Sequence, residues 1–331
     1  MFDLAQKEIL DISKWKYSLQ VKKYISPITF RGPYHRGPVT PSSERKVYHI
    51  QFLNNENLQL ELGPLENFSP ESLEEAKEQF IATLYKLKWK EGSDLNHFLG
   101  PELQKNLYPS VANALGQLWL ALSTPNEKLK NHHKRVKNIQ SNQLITNLDE
   151  HTNRDEHIHQ VYKIKISSAK NGTSIASQVK NIHTLFKNSN VLLRLDANRA
   201  LGPQELQDFW EELGKANLAS KVEYFEEPLG SYSQMLELSA SIPIAIDESF
   251  DIWFQNREDT FKAIVFKPTL HSGLISLNGL KSDLPIVISS SFDLNWGQFW
   301  NREIIDKLPC LDLTPSALHG LNTDQFFVSS V

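Results

Sequence analysis

The sequence holds a single cysteine, Cys310, so no disulfide can close within the chain, and that scarcity suits a reducing compartment. No apolar run approaches the roughly 18 residues that span a bilayer. The N-terminal MFDLAQKEIL lacks the basic segment followed by a long apolar one that marks a secretory leader. Neither sign of charge dominates: 35 Lys and Arg against 39 Asp and Glu leave a net −4, which makes no general electrostatic case for nucleic acid or an anionic membrane surface. A soluble, cytoplasmic protein whose partner is a small molecule, with neither nucleic acid nor membrane, is expected. Nothing in the sequence fixes an oligomeric state. At 331 residues there is room for two domains, or for one barrel with an added piece.

What is present is organised around Val191 to Ala200, VLLRLDANRA. Branched apolar residues read as a buried parallel strand, and the chain then turns through Asp196, Ala197 and Asn198 into a helix opening at Gly202-Pro203. A carboxylate therefore stands at a strand's C-terminal end. The layout recurs, with Glu226 ending Val222 to Phe225 and Asp247 ending Ile242 to Ile246, each about one strand, helix and pair of loops further on. Upstream, VYKIKIS puts Lys163 and Lys165 on one face, since alternate residues share a face. Downstream, AIVFKP ends on Lys267 and PIVISSS on Ser289, Ser290 and Ser291. Six strands thus bring polar groups to the same end of a parallel sheet, the end that carries chemistry in such architectures.

The chain opens with a short amphipathic segment, Phe2 to Ile12, followed by alternating strands at Trp15 to Val21, Lys46 to Phe52 and Leu58 to Leu62. A long Pro- and Gly-rich loop separates the first two of these strands. Helices are expected from Ser69 to about Lys88 and from Ser110 to Leu122. Polar, basic Pro125 to Asn142 reads as a solvated linker, and His132, His133, His157 and His159 read as exposed side chains rather than metal ligands. From Gln143 strand and helix alternate through Val161, Val191, Val222, Ile242, Ala263 and Pro285, with CLDL (Cys310 to Leu313) as the last strand and a trimmed helix between Lys267 and Pro285. The expected fold is α/β, a modified TIM-type (β/α)7β barrel over 126–315. An α+β capping domain over 1–125 precedes it, and 316–331 returns to the cap.

One acidic strand end is ordinary, and any one of the three alone would serve as a helix cap. Three on consecutive strands are a different matter. Carboxylates about 4 Å apart repel by on the order of 4 kcal/mol per pair at an effective dielectric near 20. A divalent cation removes that penalty. Oxygen ligands without Cys or His point to Mg²⁺, with Mn²⁺ as a possible substitute. A lysine held near a metal and another cation has its pKa lowered and can act as a base, and Lys163 lies close enough to Lys165 to contribute. The residues read as metal-assisted proton abstraction beside a carboxylate, with a stabilised enediolate.

K-I-K at 163 to 165, R-L-D-A-N-R-A at 194 to 200, E-E-P at 226 to 228, D-E-S at 247 to 249 and F-K-P-T-L at 266 to 270 together resemble the enolase superfamily, muconate-lactonizing subgroup. With the S-S-S turn they resemble, more narrowly, the o-succinylbenzoate synthase family, and GPLENFSPESLEEA and PSVANAL are similar to that family's cap. The resemblance implies a hydro-lyase of menaquinone biosynthesis, which dehydrates 2-succinyl-6-hydroxy-2,4-cyclohexadiene-1-carboxylate to o-succinylbenzoate. It implies that Asp196, Glu226 and Asp247 bind Mg²⁺. It implies that Lys165 takes the α-proton and returns it to the departing hydroxide on the same face. Lys267 would stabilise the intermediate across the ring, partly by cation-π contact. Ser289, Ser290 and Ser291 would offer backbone N–H groups to the succinyl carboxylate, with Lys163, Arg194 and Asn198 as supports behind the site. Phe30 to Gly37 and Gly63 to Phe68 would be cap loops. Where the family carries Gly-x-Gly-Glu, this chain has Leu58-Gln59-Leu60-Glu61. An N-acylamino acid racemase or dipeptide epimerase would use the same metal and both lysines, but Leu311-Asp312-Leu313 lacks the second aspartate of an epimerase D-x-D. A non-catalytic binding protein keeping the barrel is the third possibility.

Overall fold

The structure is a computed structural model. It describes residues 7–12, 17–27, 44–53, 55–88, 90, 92–124, 142–145, 160–258, 260–311, 313, 315 and 319–321. The Phe30 to Gly37 loop, most of the basic stretch after Pro125, and His132, His133, His157 and His159 lie outside the described residues.

An antiparallel sheet in the order β1-β2-β3-β4 comes first, from β1 (Lys7–Ile12), β2 (Tyr17–Pro27), β3 (Glu44–Phe52) and β4 (Asn55–Leu62). Part of the amphipathic opening segment is thus the edge strand of this sheet, its register running from Lys7 opposite Lys22 to Ile12 opposite Tyr17. Helix α1 (Leu73–Leu84) begins later than the sequence suggests, because Ser72 rather than Ser69 forms the capping box, with Glu75. The Ser69 hydroxyl is instead the acceptor for the Leu65 N–H, at 2.9 Å, and holds the preceding turn. Short helices α2 (Leu95–Leu99) and α3 (Pro101–Gln104) lead to α4 (Pro109–Ser123), whose buried Val111, Leu115 and Leu118 join one apolar core with β3, β4 and the barrel's outer surface.

Seven parallel strands follow in strict sequence order: β5 (Gln143–Ile145), β6 (Val161–Lys165), β7 (Leu192–Asp196), β8 (Val222–Glu226), β9 (Ile244–Ile246), β10 (Ala263–Phe266) and β11 (Ile286–Ile288). Their crossovers contain α5 (Ile175–Phe186), α6 (Pro203–Lys215), α7 (Tyr232–Leu238), α8 (Phe250–Asn256) and the trimmed α9 (Gly273–Asn278), and α10 (Asn295–Lys307) follows β11. This is the α/β, (β/α)7β barrel expected from the sequence.

Its eighth stave is not CLDL. Leu308–Leu311 is a 3-10 turn, because Pro309 cannot donate to a strand ladder and Leu308 is anchored in the core at 0 % exposure. The position beside β11 goes instead to Pro315 and His319-Gly320, through single parallel bridges to Ile286 and Ser289. The Gly320 N–H donates to Ile288 O at 2.9 Å, and the Asn142 N–H, just ahead of β5, donates to His319 O at 2.9 Å. Two residues therefore join the first strand to the seventh. Gly320 is required there, since a Cβ would sit 2.7 Å from the Ser289 hydroxyl.

The two-residue strand period explains the barrel's interior. Tyr224, Ala245, Val265 and Val287 each stand two residues before Glu226, Asp247, Lys267 and Ser289, and with Ala263 they form a separate apolar cluster. A dry plug thus underlies a polar ring. The plug keeps bulk water from the base of the charges, which strengthens their mutual interactions.

Candidate active site

The strand register sets the ring. Lys165 is level with Asp196, and Asp196 with Glu226. Glu226 is level with Ala245, so Asp247 follows at the next inward position. Asp196, Glu226 and Asp247 are each 2 % exposed. The three acids named from the sequence are therefore gathered at one end of the barrel, with the lysines threaded between them.

Lys163 Nζ lies 2.6 Å from Glu226 Oε1 and 2.8 Å from Asp196 Oδ2. Lys165 Nζ reaches the same Asp196 oxygen at 2.6 Å and donates to Asn198 Oδ1 at 3.1 Å. On the other flank Lys267 Nζ is ion-paired with Asp247 and lies 3.4 Å from Glu248 Oε1. The resemblance puts Lys163 behind the site as a support. It stands inside the ring, in direct contact with two of the acids. Asn198 lies beside Lys165 and Asp196, and its own N–H caps Asp196 Oδ1 at 3.0 Å. Arg194 does not turn toward Asp196 with its hydrogen bonds. It lies one inward layer below, donating to Glu223 at 2.7 Å and stacking 5.1 Å from the Tyr224 ring centre.

Charge balance follows the contacts. Burial works to discharge the Lys163 ammonium, but Asp196, Glu226 and Asp247 outweigh it and hold its pKa above the ordinary value. Lys267 is likewise held up against burial, by Asp247 and Glu248. Asp196 is driven below the carboxylate range despite burial, by Lys163 and Lys165. Asp247 goes the other way, raised far above that range by burial and then by the charge on Glu248, with Lys267 opposing. Asp247 Oδ1 is buried without a hydrogen-bond partner, and so is Glu248 Oε2. A desolvated acid with an unanswered oxygen calls for more positive charge.

Among the described residues no three carboxylate, imidazole or thiol groups already stand as a metal shell, because the ammonium groups bridge the acids. The donor chemistry nonetheless fits a hard divalent cation: every candidate ligand atom is oxygen, and Asp247 Oδ1 has no other partner.

The serine turn departs from expectation. Ser289 N–H donates to Phe266 O, Ser290 N–H to Gly320 O, and Ser291 N–H to Asp293 Oδ2 at 3.0 Å. All three backbone donors expected to face a carboxylate are engaged, because the turn must both finish the sheet and open α10. The group left over is the Ser291 hydroxyl, buried and without a partner.

Four further acids and an arginine, at the mouth and at the seam beside it, have structural parts that the sequence motifs do not announce. Glu248 lies beside Lys267, as above, and Glu227 braces the ends of β8 and β9. Asp293 accepts from Thr269 Oγ1 at 2.8 Å, Asn301 Nδ2 at 2.8 Å and Ser290 Oγ at 3.1 Å, tying the K-P-T-L turn to the serine turn. Arg45, 2 % exposed, donates to Gly63 O and Pro64 O at 2.6 Å each and to Phe292 O at 3.1 Å, joining a proposed cap loop to the barrel. Glu61 accepts from Leu294 N at 2.9 Å and Gly297 N at 3.0 Å, so it satisfies the first turn of α10 from another sheet. Glycine at 297 makes room, since a Cβ would lie 2.8 Å from Glu61 Oε1. An acid two residues after S-S-S and just ahead of a helix was the one available sign of Asp293.

No protein-family model matches the chain. A curated relative, an o-succinylbenzoate synthase of Pasteurella multocida (strain Pm70), is 28% identical over 281 residues, covering 80% of this chain and 77% of that one. The chain is a relative of the o-succinylbenzoate synthases. Among solved structures, o-succinylbenzoate synthase from Thermosynechococcus elongatus BP-1 complexed with Mg superposes with a TM-score of 0.63 at 18% identity, over 95% of both chains. The L-Ala-D/L-Glu epimerase of Bacillus subtilis superposes with a TM-score of 0.68 at 15% identity, over 95% of this chain and 91% of that one. At those identities the likeness is one of fold. Among the described residues no helix is long and apolar enough to cross a membrane.

Proposed function

We propose that the chain is an o-succinylbenzoate synthase, a hydro-lyase that dehydrates 2-succinyl-6-hydroxy-2,4-cyclohexadiene-1-carboxylate to o-succinylbenzoate and water in menaquinone biosynthesis. The observation that carries this reading is the gathering of three ammonium groups and three carboxylates in mutual contact around one barrel mouth, Lys163, Lys165, Asp196, Glu226, Asp247 and Lys267, in a relative of the synthases.

Asp196, Glu226 and Asp247 would hold Mg²⁺, or Mn²⁺ in its place. When bound, the cation supplies positive charge for a substrate carboxylate that gains negative charge as its α-proton leaves. Lys165, steadied by Asp196 and Asn198, takes that proton in its neutral form. The resulting ammonium then returns it to the departing hydroxyl, so one C–H and one C–O bond break and one water forms. Lys267, across the mouth just past the end of β10, contributes a fixed positive charge. The Ser291 hydroxyl, with Ser289 and Ser290, faces the distal carboxylate, and the N-terminal α+β part with Gly63 to Phe68 serves as the cap. Lone exposed Cys310 suits a cytoplasmic location.

Purified protein with Mg²⁺ and the cyclohexadiene substrate should show loss of diene absorbance with stoichiometric product. No turnover, together with α-deuterium exchange in an N-acylamino acid or dipeptide, would replace this reading by the racemase or epimerase one.

A further inference from the structure

We propose that Glu227 is a positioning residue for the acid ring, its carboxylate holding the backbone of Asp247 against the loop that follows Asp196. The inference rests on the reading of Asp196, Glu226 and Asp247 as metal ligands.

Glu227 follows Glu226 directly and is 1 % exposed. Its backbone is in the left-handed region, φ 38°, which a residue with a Cβ rarely adopts unless its surroundings impose it. The surroundings do so from two sides. Its N–H donates to Ala245 O at 3.0 Å, and its carbonyl accepts from Arg199 N at 2.8 Å. The side chain repeats both links. Oε2 accepts the Asp247 N–H at 2.9 Å, while Oε1 accepts Arg199 Nη2 at 2.7 Å and Nε at 3.0 Å, together with the Ser249 hydroxyl. One residue therefore fastens the ends of β7, β8 and β9, the three strands that deliver the acids. Neither Lys165 nor Lys267 is among these partners.

Both carboxylate oxygens of Glu227 are used as acceptors. Every hydrogen bond to the Glu227 side chain is donated to it, and an amide would turn one of its two acceptors into a donor pointed at the Asp247 N–H or at Arg199. Glu227→Gln keeps the volume and breaks one of the two links. Loss of a partner that orients a ligand typically costs on the order of 10–100-fold in metal affinity.

Titration calorimetry with Mg²⁺ alone, and Mn²⁺ binding by electron paramagnetic resonance, test this without reference to turnover. The panel is the parent protein, Asp247→Asn, Glu227→Gln, Arg199→Lys and Glu205→Gln. Glu205 is a half-buried acceptor at the start of α6, bonded to Ser168, Ala169 and Gly202, and controls for general loosening. Affinity should collapse in Asp247→Asn, fall about 10–100-fold in Glu227→Gln, fall less in Arg199→Lys and stay at the parent value in Glu205→Gln. Parent affinity in both Glu227→Gln and Arg199→Lys, beside a collapse in Asp247→Asn, overturns the proposal and leaves the ligand reading standing. Parent affinity in Asp247→Asn, or a parent that binds neither metal, overturns the ligand reading and the proposal with it. An equal fall in Glu205→Gln overturns the proposal alone. Should circular dichroism show Glu227→Gln unfolded, Arg199→Lys decides.

Discussion

The barrel mouth and the seam between the N-terminal sheet and the barrel are both buried and both highly charged, yet they are built on opposite plans. At the mouth the charged groups stand level on neighbouring strands, so Lys165, Asp196 and Glu226 succeed one another along the sheet. At the seam the partners come from far apart in the chain, as Arg45 does with Phe292 and Glu61 with Gly297. The mouth leaves Asp247 Oδ1 and Glu248 Oε2 without partners, whereas Arg45, Glu61 and Asp293 bond to backbone and side chains on several sides. The first arrangement keeps charge ready for something else, and the second uses charge to fix position.

Breaking the mouth should abolish chemistry and spare the fold. Lys165→Ala should lower turnover of the cyclohexadiene substrate by about 10²–10⁴-fold, with a thermal midpoint close to the parent's in the same preparation. An active variant would remove Lys165 from the mechanism. Breaking the seam should do the reverse. Arg45→Met leaves buried carbonyls and Asp293 without their cation and should cost about 3 kcal/mol of stability, read by denaturant titration, while Mg²⁺ affinity stays near the parent value. A large change in metal affinity there would mean that the two regions are one unit.

A smaller effect sharpens the contrast. Glu61→Gln should cost about 1 kcal/mol, because the first turn of α10 loses the charge that complements its dipole. The pH dependence has a definite sign. Burial pushes the Glu61 carboxyl up, but His49, Arg45 and the Leu294 N–H outweigh it, and its pKa in the folded protein is below the ordinary 4.5. Its contribution is therefore present above about pH 4.5 and is lost as pH falls through the lowered folded value. The parent and Glu61→Gln stability curves should converge toward acid pH and separate above it. Parallel curves across that range would mean that Glu61 is not the group responsible.

The same contrast explains what could be read from the sequence. Strands such as VLLRLD state their own direction, and a period of two assigns Asp196 and Arg194 to the interior without any knowledge of the fold. Family motifs then sharpened the roles. What escaped was non-local: nothing in ERKVYHIQF says that Arg45 will meet the loop after β11, and nothing in LQLEL says that Glu61 will cap a helix made from residues near the other end of the chain. The last stave failed for a local reason, since CLDL alternates like a strand but follows Pro309 and an anchored Leu308, which wind it into a turn. The serine turn failed because its amides belong to two structures at once.

His319 and Gly320 give the barrel a clasp. Until they dock, β5 and β11 are the raw edges of an open hoop, each offering unmated amide and carbonyl groups to any neighbouring chain. A polypeptide cut after Leu313 would keep every residue of the ring and still be prone to stick to its own kind, so the closing of this hoop depends on a few residues that stand outside the ring of charges.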